Sequence, residues 1–155
     1  MKTIITSVTA LVLFITTLAK PCLAQQTATV TPTSTSAVHS LTVVVHNVNT
    51  RSGKLYVGLA NNQATFNGES IQTKTIDVSP SGEITAVFEG LAPGRYAVRV
   101  YQDLNNNQKI DFSGQIPSEP FGFSNVTMLM GPPDFDQSSF ELKENQSIRI
   151  RMLEM

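Results

Sequence analysis

The stretch Arg95-Tyr96-Ala97-Val98-Arg99-Val100-Tyr101 decides the fold class. Tyr96, Val98 and Val100 fall on one face at period two, and Arg95, Arg99 and Tyr101 fall on the other. Successive side chains leave a strand on opposite sides, so this pattern marks a strand with one buried face and one wet face. The preceding Leu91-Ala92-Pro93-Gly94 reads as a turn. Leu91 would anchor it to the core, Pro93 fixes φ, Gly94 can take a positive φ, and Tyr96 then enters the strand facing inward.

The same texture extends in both directions. Leu41 to Val48 is β-branched, Asn49 to Gly53 is a turn cluster, and Lys54 to Ala60 places Leu55, Val57 and Leu59 on one face. Asn61 to Ser70 reads as a polar loop carrying Phe66; Ile71 to Val78 and Glu83 to Glu89 read as strands separated by the Ser79-Pro80-Ser81-Gly82 turn. Phe140 to Leu142 and Ser147 to Leu153 close the domain, with Ile148, Ile150 and Met152 alternating against Arg149 and Arg151. No segment beyond the N-terminal region has helical periodicity. About seven short strands at this spacing predict an all-β chain, an antiparallel β-sandwich with one wet face per sheet.

The N-terminal region has a different character. Lys2 precedes an apolar run from Ile4 to Ala19, and Lys20-Pro21-Cys22-Leu23-Ala24 follows. This is the pattern of a secretory signal peptide, and the run is shorter than the roughly 20 residues a bilayer span needs. The expected organisation is a signal peptide over 1–24, a flexible Ser/Thr-rich tether over 25–40 and a β-sandwich domain over 41–153, in a periplasmic or secreted protein with no membrane association after cleavage. Cys22 is the single cysteine of the chain. It would leave with the leader, so packing rather than a disulfide would stabilise the mature domain.

The 155 residues make a one-domain length, and 41% apolar with 15% charged residues is a globular composition. A formal net charge of −1, with no Lys/Arg stripe, gives nucleic acid no electrostatic footprint. His39 and His46 have no partner at a zinc-ligand spacing. Neither a nucleophile elbow nor a phosphate loop occurs, and Asp134 and Asp136 read as solvated turn residues. The expectation is a protein that is not an enzyme.

Residues 103–136 are longer than a connection needs. Asp103, Asn105, Asn107 and Asp111 fall at positions 1, 3, 5 and 9 of an EF-hand-like spacing, with Lys109 placed to offer its backbone carbonyl at position 7. Gln108 stands where such loops carry Gly, and Gly114 where they carry a bidentate Glu. Two readings stay open: a calcium-ordered loop, and an Asx-rich turn bonded to its own backbone. Further on, Glu119, Phe121, Phe123 and Asn125 are candidate surface-loop residues for binding an unknown protein or small ligand.

Four pieces then occur in order: Gly90 to Val98, Asp103 to Asp111, Ile116 to Asn125, and Gly131-Pro132-Pro133-Asp134-Phe135. With them the chain from Leu41 to Leu153 resembles the uncharacterised exported bacterial proteins of domain of unknown function 2141. The resemblance implies a transthyretin-like or surface-protein-like β-sandwich and no established activity; transthyretin-like or Ig-like is the expected fold class. The expected function is an exported accessory or binding module of unknown ligand. The alternatives are a purely structural envelope or spacer domain, and a hydrolase using Asp103, Asp111 or Glu119.

Overall fold

A computed structural model of the chain describes residues 37–154. The expected signal peptide, Cys22 and most of the expected tether lie outside the described residues. Strand β1 (His39–His46) begins within the expected tether. His39 pairs with Leu91, and the Ser40 N–H donates to Asn145 Oδ1 at 2.9 Å, so both residues belong to the sheet.

The order continues with β2 (Lys54–Ala60), α1 (Gln63–Asn67), β3 (Gln72–Asp77), β4 (Ile84–Leu91) and β5 (Gly94–Asp103). Then come β6 (Phe112–Ser113), β7 (Ile116–Pro117), β8 (Phe121–Phe123), α2 (Phe135–Ser138), β9 (Phe140–Leu142) and β10 (Gln146–Arg151). One sheet has the order β10-β1-β4; the other runs β3-β2-β5-β8, with β9 also paired to β5; β6 and β7 form a small separate hairpin.

The two sheets share one core. Leu41, Val43 and Val45 of β1 and Ile84, Ala86 and Phe88 of β4 meet Leu55, Val57 and Leu59 of β2 and Tyr96, Val98 and Val100 of β5. The β2 and β5 rows are the inward sets that the alternation assigned. Neither sheet closes on itself, so the all-β chain is a sandwich whose stability rests on burying the facing rows. Tyr96 keeps its polar end satisfied by donating its hydroxyl to Ala92 O at 2.9 Å.

Four features differ from the sequence reading. The sandwich is not wholly antiparallel: β10 runs parallel to β1, with Val43 opposite Ile148. The cause is the connection from β9. The chain leaves the five-stranded sheet at Leu142 and re-enters in the opposite sheet at Gln146, and so arrives beside β1 in the same direction. At the β4–β5 corner the left-handed residue is Gly90, at φ +71 just before the 91–94 turn, rather than Gly94.

Residues 61–70 are not all loop. Asn62 caps α1 through a reciprocal capping box with Thr65, a device that works within one turn and leaves no periodicity to read. Phe121 to Phe123 are not loop either. They form β8, antiparallel to residues 99–101 of β5. Gly122 permits this, because a Cβ there would stand 2.7 Å from Arg151 O. Phe121 also bridges to Leu153, which ties the five-stranded sheet to the end of the chain.

Candidate functional site

The outer face of the five-stranded sheet carries the features that a plain sandwich does not need. Near Arg95 and Ala97, that face is closed. Ala60 and Ala97 are small enough to admit Phe66 of α1 and Phe135 of α2, with Phe123 packed alongside. The Phe66 ring lies 5.9 Å from Phe123 and 6.3 Å from Phe135. Arg95 reaches over Phe135 to Asp136, 2.9 Å away. Towards Tyr101 the same face stays open as a groove.

One wall of the groove is held up by the Asx loop. At the end of β5 the Asp103 side chain is fully buried, and its carboxylate accepts the backbone N–H of Asn107 (3.1 Å) and of Gln108 (2.7 Å). Asn105 Oδ1 accepts from Asn107 N, and Asn107 Oδ1 from Lys109 N. Asn105 and Asn107 each donate their amide Nδ2 to the Asp111 carboxylate. Asn106 and Gln108 sit at φ +60 and +66, the tight bends that these bonds enforce. Glu119 is buried, and its two carboxylate oxygens accept the N–H of Leu104 (2.8 Å) and of Asp111 (3.1 Å), clamping both ends of the loop. From this rigid prop the β6–β7 hairpin projects with Phe112 and Ile116 more than half exposed.

The structure thus gathers Asp103, Asn105, Asn107, Asp111 and Glu119 into one unit, with Lys109 at its edge. Every carboxylate oxygen of Asp103, Asp111 and Glu119 already accepts a hydrogen bond from an N–H donor. Among the described residues no group of three or more His, Cys, Asp or Glu is placed to hold a metal ion. None of Asp103, Asp111 and Glu119 lines the groove. Of the expected surface-loop residues, Glu119 and Phe121 are buried by these pairings and Phe123 is half-buried. Asn125 is exposed and donates Nδ2 to Ser139 O at 2.6 Å.

The groove itself encloses about 910 Å³. Its floor is the outer row of β2 and β5. Tyr56 and Tyr101 stand directly opposite each other across the strands and stack with centroids 4.9 Å apart and planes within 4°. Beside them Gly58 lies opposite Arg99. A Cβ at Gly58 would meet Ser70 Oγ at 2.4 Å and Arg99 Cγ at 3.5 Å, so the glycine is what lets Ser70 and Arg99 lie against the strand. Phe112, Ile116 and Pro117 form one wall, and Leu129, Pro132 and Pro133 the other.

The Arg99 guanidinium is partly buried in this floor. Nη1 donates to Phe66 O at 2.6 Å, and Nη2 donates to Gly68 O and to Ser70 Oγ. Among the described residues no carboxylate forms an ion pair with it. Burial pushes its pKa below the ordinary arginine value, and Tyr101 opposes that shift.

Burial also holds the Tyr101 phenol above its ordinary value, with Tyr56, Asp103 and Glu119 adding and Arg99 opposing. The neutral phenol is therefore favoured by the fold. That contribution is full below the unfolded value of about 10 and is lost as pH rises through the higher folded value. Stability is expected to fall from about pH 10 upward. Tyr101→Phe should remove the phenol's part of that fall, as urea midpoints measured on both sides of this pH will show; an unchanged alkaline slope in the variant would contradict it.

Sequence reasoning missed Tyr56, Gly58, Phe66 and Arg99 as site residues. Two signals were present: a glycine inside an otherwise well-alternating strand, and tyrosines on the face assigned to water. No curated protein and no solved structure matches the chain. The model of the family described as "Uncharacterized protein conserved in bacteria (DUF2141)" matches residues 43–150, from inside β1 almost to the end of β10 and well over half of the sequence, and the chain belongs to that family.

Proposed function

We propose that the chain is an exported, non-catalytic accessory module that binds an apolar small ligand in the groove above β2 and β5. The observation that carries this reading is the groove: about 910 Å³ bounded by aromatic, Ile and Pro side chains on a sheet face that a simple sandwich would leave wet. Pockets of this size lined mainly by apolar side chains with few polar groups are the usual small-molecule sites. Phe112 and Ile116, at 56% and 55% exposure, are held in that position by a loop braced by the carboxylates of Asp103, Asp111 and Glu119. Export to the periplasm or beyond rests on the leader pattern of residues 1–24. The absence of a catalytic role rests on the engagement of Asp103, Asp111 and Glu119 in the loop, away from the groove. A purely structural spacer would have no use for such a cleft.

The test is a fluorescence titration of the full chain with the neutral apolar dye Nile red. Saturable binding is expected, weakened about ten-fold or more by Phe112→Asp or Ile116→Asp. Both residues are exposed, so neither change should unfold the domain. A dye response indifferent to both substitutions would count against the groove.

In this reading calcium has no part. Thermal midpoints of the chain stripped of divalent ions are expected to stay unchanged at millimolar calcium, because a ligand raises the midpoint only by binding the folded state. A rise that disappears in Asp111→Ala would instead make the loop a calcium site.

A further inference from the structure

Resting on the binding reading above, we infer that the ligand is an amphipathic monoanion, a carboxylate with an apolar tail, whose charged end lies against Arg99. Arg99, on β5, is the charged group of the groove floor. A guanidinium has five N–H donors. Three of those on Arg99 are given to Phe66 O, Gly68 O and Ser70 Oγ, leaving the Nε–H and one Nη1–H without a protein acceptor among the described residues. The acceptors it does have are uncharged. A partly desolvated cation with neutral partners and spare donors is stabilised by an incoming anion more than an exposed surface arginine would be.

The charges around the groove also set the valence. Its charged lining residues are Arg99, Lys109 and Glu69. Lys109 and Glu69 are exposed at the rim and balance each other, so the groove presents a single net positive charge, at its floor. That favours a carboxylate over a phosphate dianion, whose second charge would have no partner and would be repelled by Glu69 about twice as strongly. Phe112 and Ile116 then supply the apolar surface for the tail.

Competition against Nile red on the full chain tests this, with dodecanoate, methyl dodecanoate and dodecanol as probes. These share one tail and differ at the head. Dodecanoate is expected to displace the dye about ten-fold more tightly than either neutral compound, the factor of a charge-assisted hydrogen bond. Arg99→Gln should erase the preference. Because Arg99 also holds the α1–β3 segment, the wild-type comparison decides the matter even if that variant does not fold. Equal displacement by all three probes overturns the carboxylate assignment while leaving apolar binding intact, as does a preference for the neutral heads. Failure of Nile red itself to bind removes the reading on which the assignment rests.

Discussion

Gly53→Ala should destabilise the domain by about 3 kcal/mol or more, because two independent costs add at one atom. Gly53 sits at φ +76, where an L side chain carries a penalty of roughly 1–2 kcal/mol. An added Cβ would also lie 2.0 Å from the carbonyl oxygen of Asp103 and 3.0 Å from Leu104 Cα. Both are backbone atoms at the root of the Asx loop, so no rotamer change relieves the overlap. The surrounding turn cannot drift away, since Gln102 Nε2 donates to Thr50 O (2.7 Å) and Ser52 O (2.8 Å) from a fully buried side chain. Gly82→Ala is the matched control: φ is +82, but nothing lies within 4 Å of the added Cβ. It should show the conformational cost alone, roughly 1–2 kcal/mol. Urea unfolding of both variants separates the terms; equal losses would mean that the Asp103 contact has no energetic weight.

Asp103→Ala should cost about 2–4 kcal/mol. The substitution removes the acceptor of the Gln108 N–H and one of the two acceptors of the Asn107 N–H, which keeps Asn105 Oδ1, in a bend where Asn106 and Gln108 already hold left-handed conformations. The Gln108 N–H then either stays unpaired or forces the bend open. Asp103→Asn keeps one acceptor oxygen and should lose about half as much. Hydrogen exchange at Asn107 and Gln108 gives a local readout: in Asp103→Ala the Gln108 amide should speed up most, the Asn107 amide less because Asn105 Oδ1 still accepts it, while those of β1 follow only global stability. Unchanged protection at 107 and 108 would contradict the assigned role of the carboxylate.

Those two positions show how far the sequence could be read. The strands were legible because their signal is local: β1 is rich in β-branched residues, and inward and outward sets alternate within β2, β5 and β10 themselves. The Asx character of 103–111 was legible for the same reason. The partners of its oxygens were not legible, because the Asp103 and Glu119 carboxylates bond to backbone N–H groups that only the folded loop brings to them. The parallel placement of β10 depends on where β9 docks, which no residue of β10 encodes. Phe121-Gly122-Phe123 follows Pro120 and looks like loop until Arg151 O is known to come within reach of Gly122. The groove was the least legible part. It needs Tyr56, Phe66, Arg99, Phe112 and Leu129, from segments far apart in the chain, on one side of one sheet. No period or spacing brings such a set together.

The claim that a ligand occupies the outer face of the five-stranded sheet is tested most directly by mapping amide chemical shifts of residues 37–154 in the full chain during titration with Nile red. Shifts are expected at Tyr56, Gly58, Arg99, Tyr101 and Phe123, along the groove floor, with β1, β4 and β10 unmoved. Shifts confined to the β10-β1-β4 sheet or to residues 126–128, with the floor silent, would contradict the groove as the binding site.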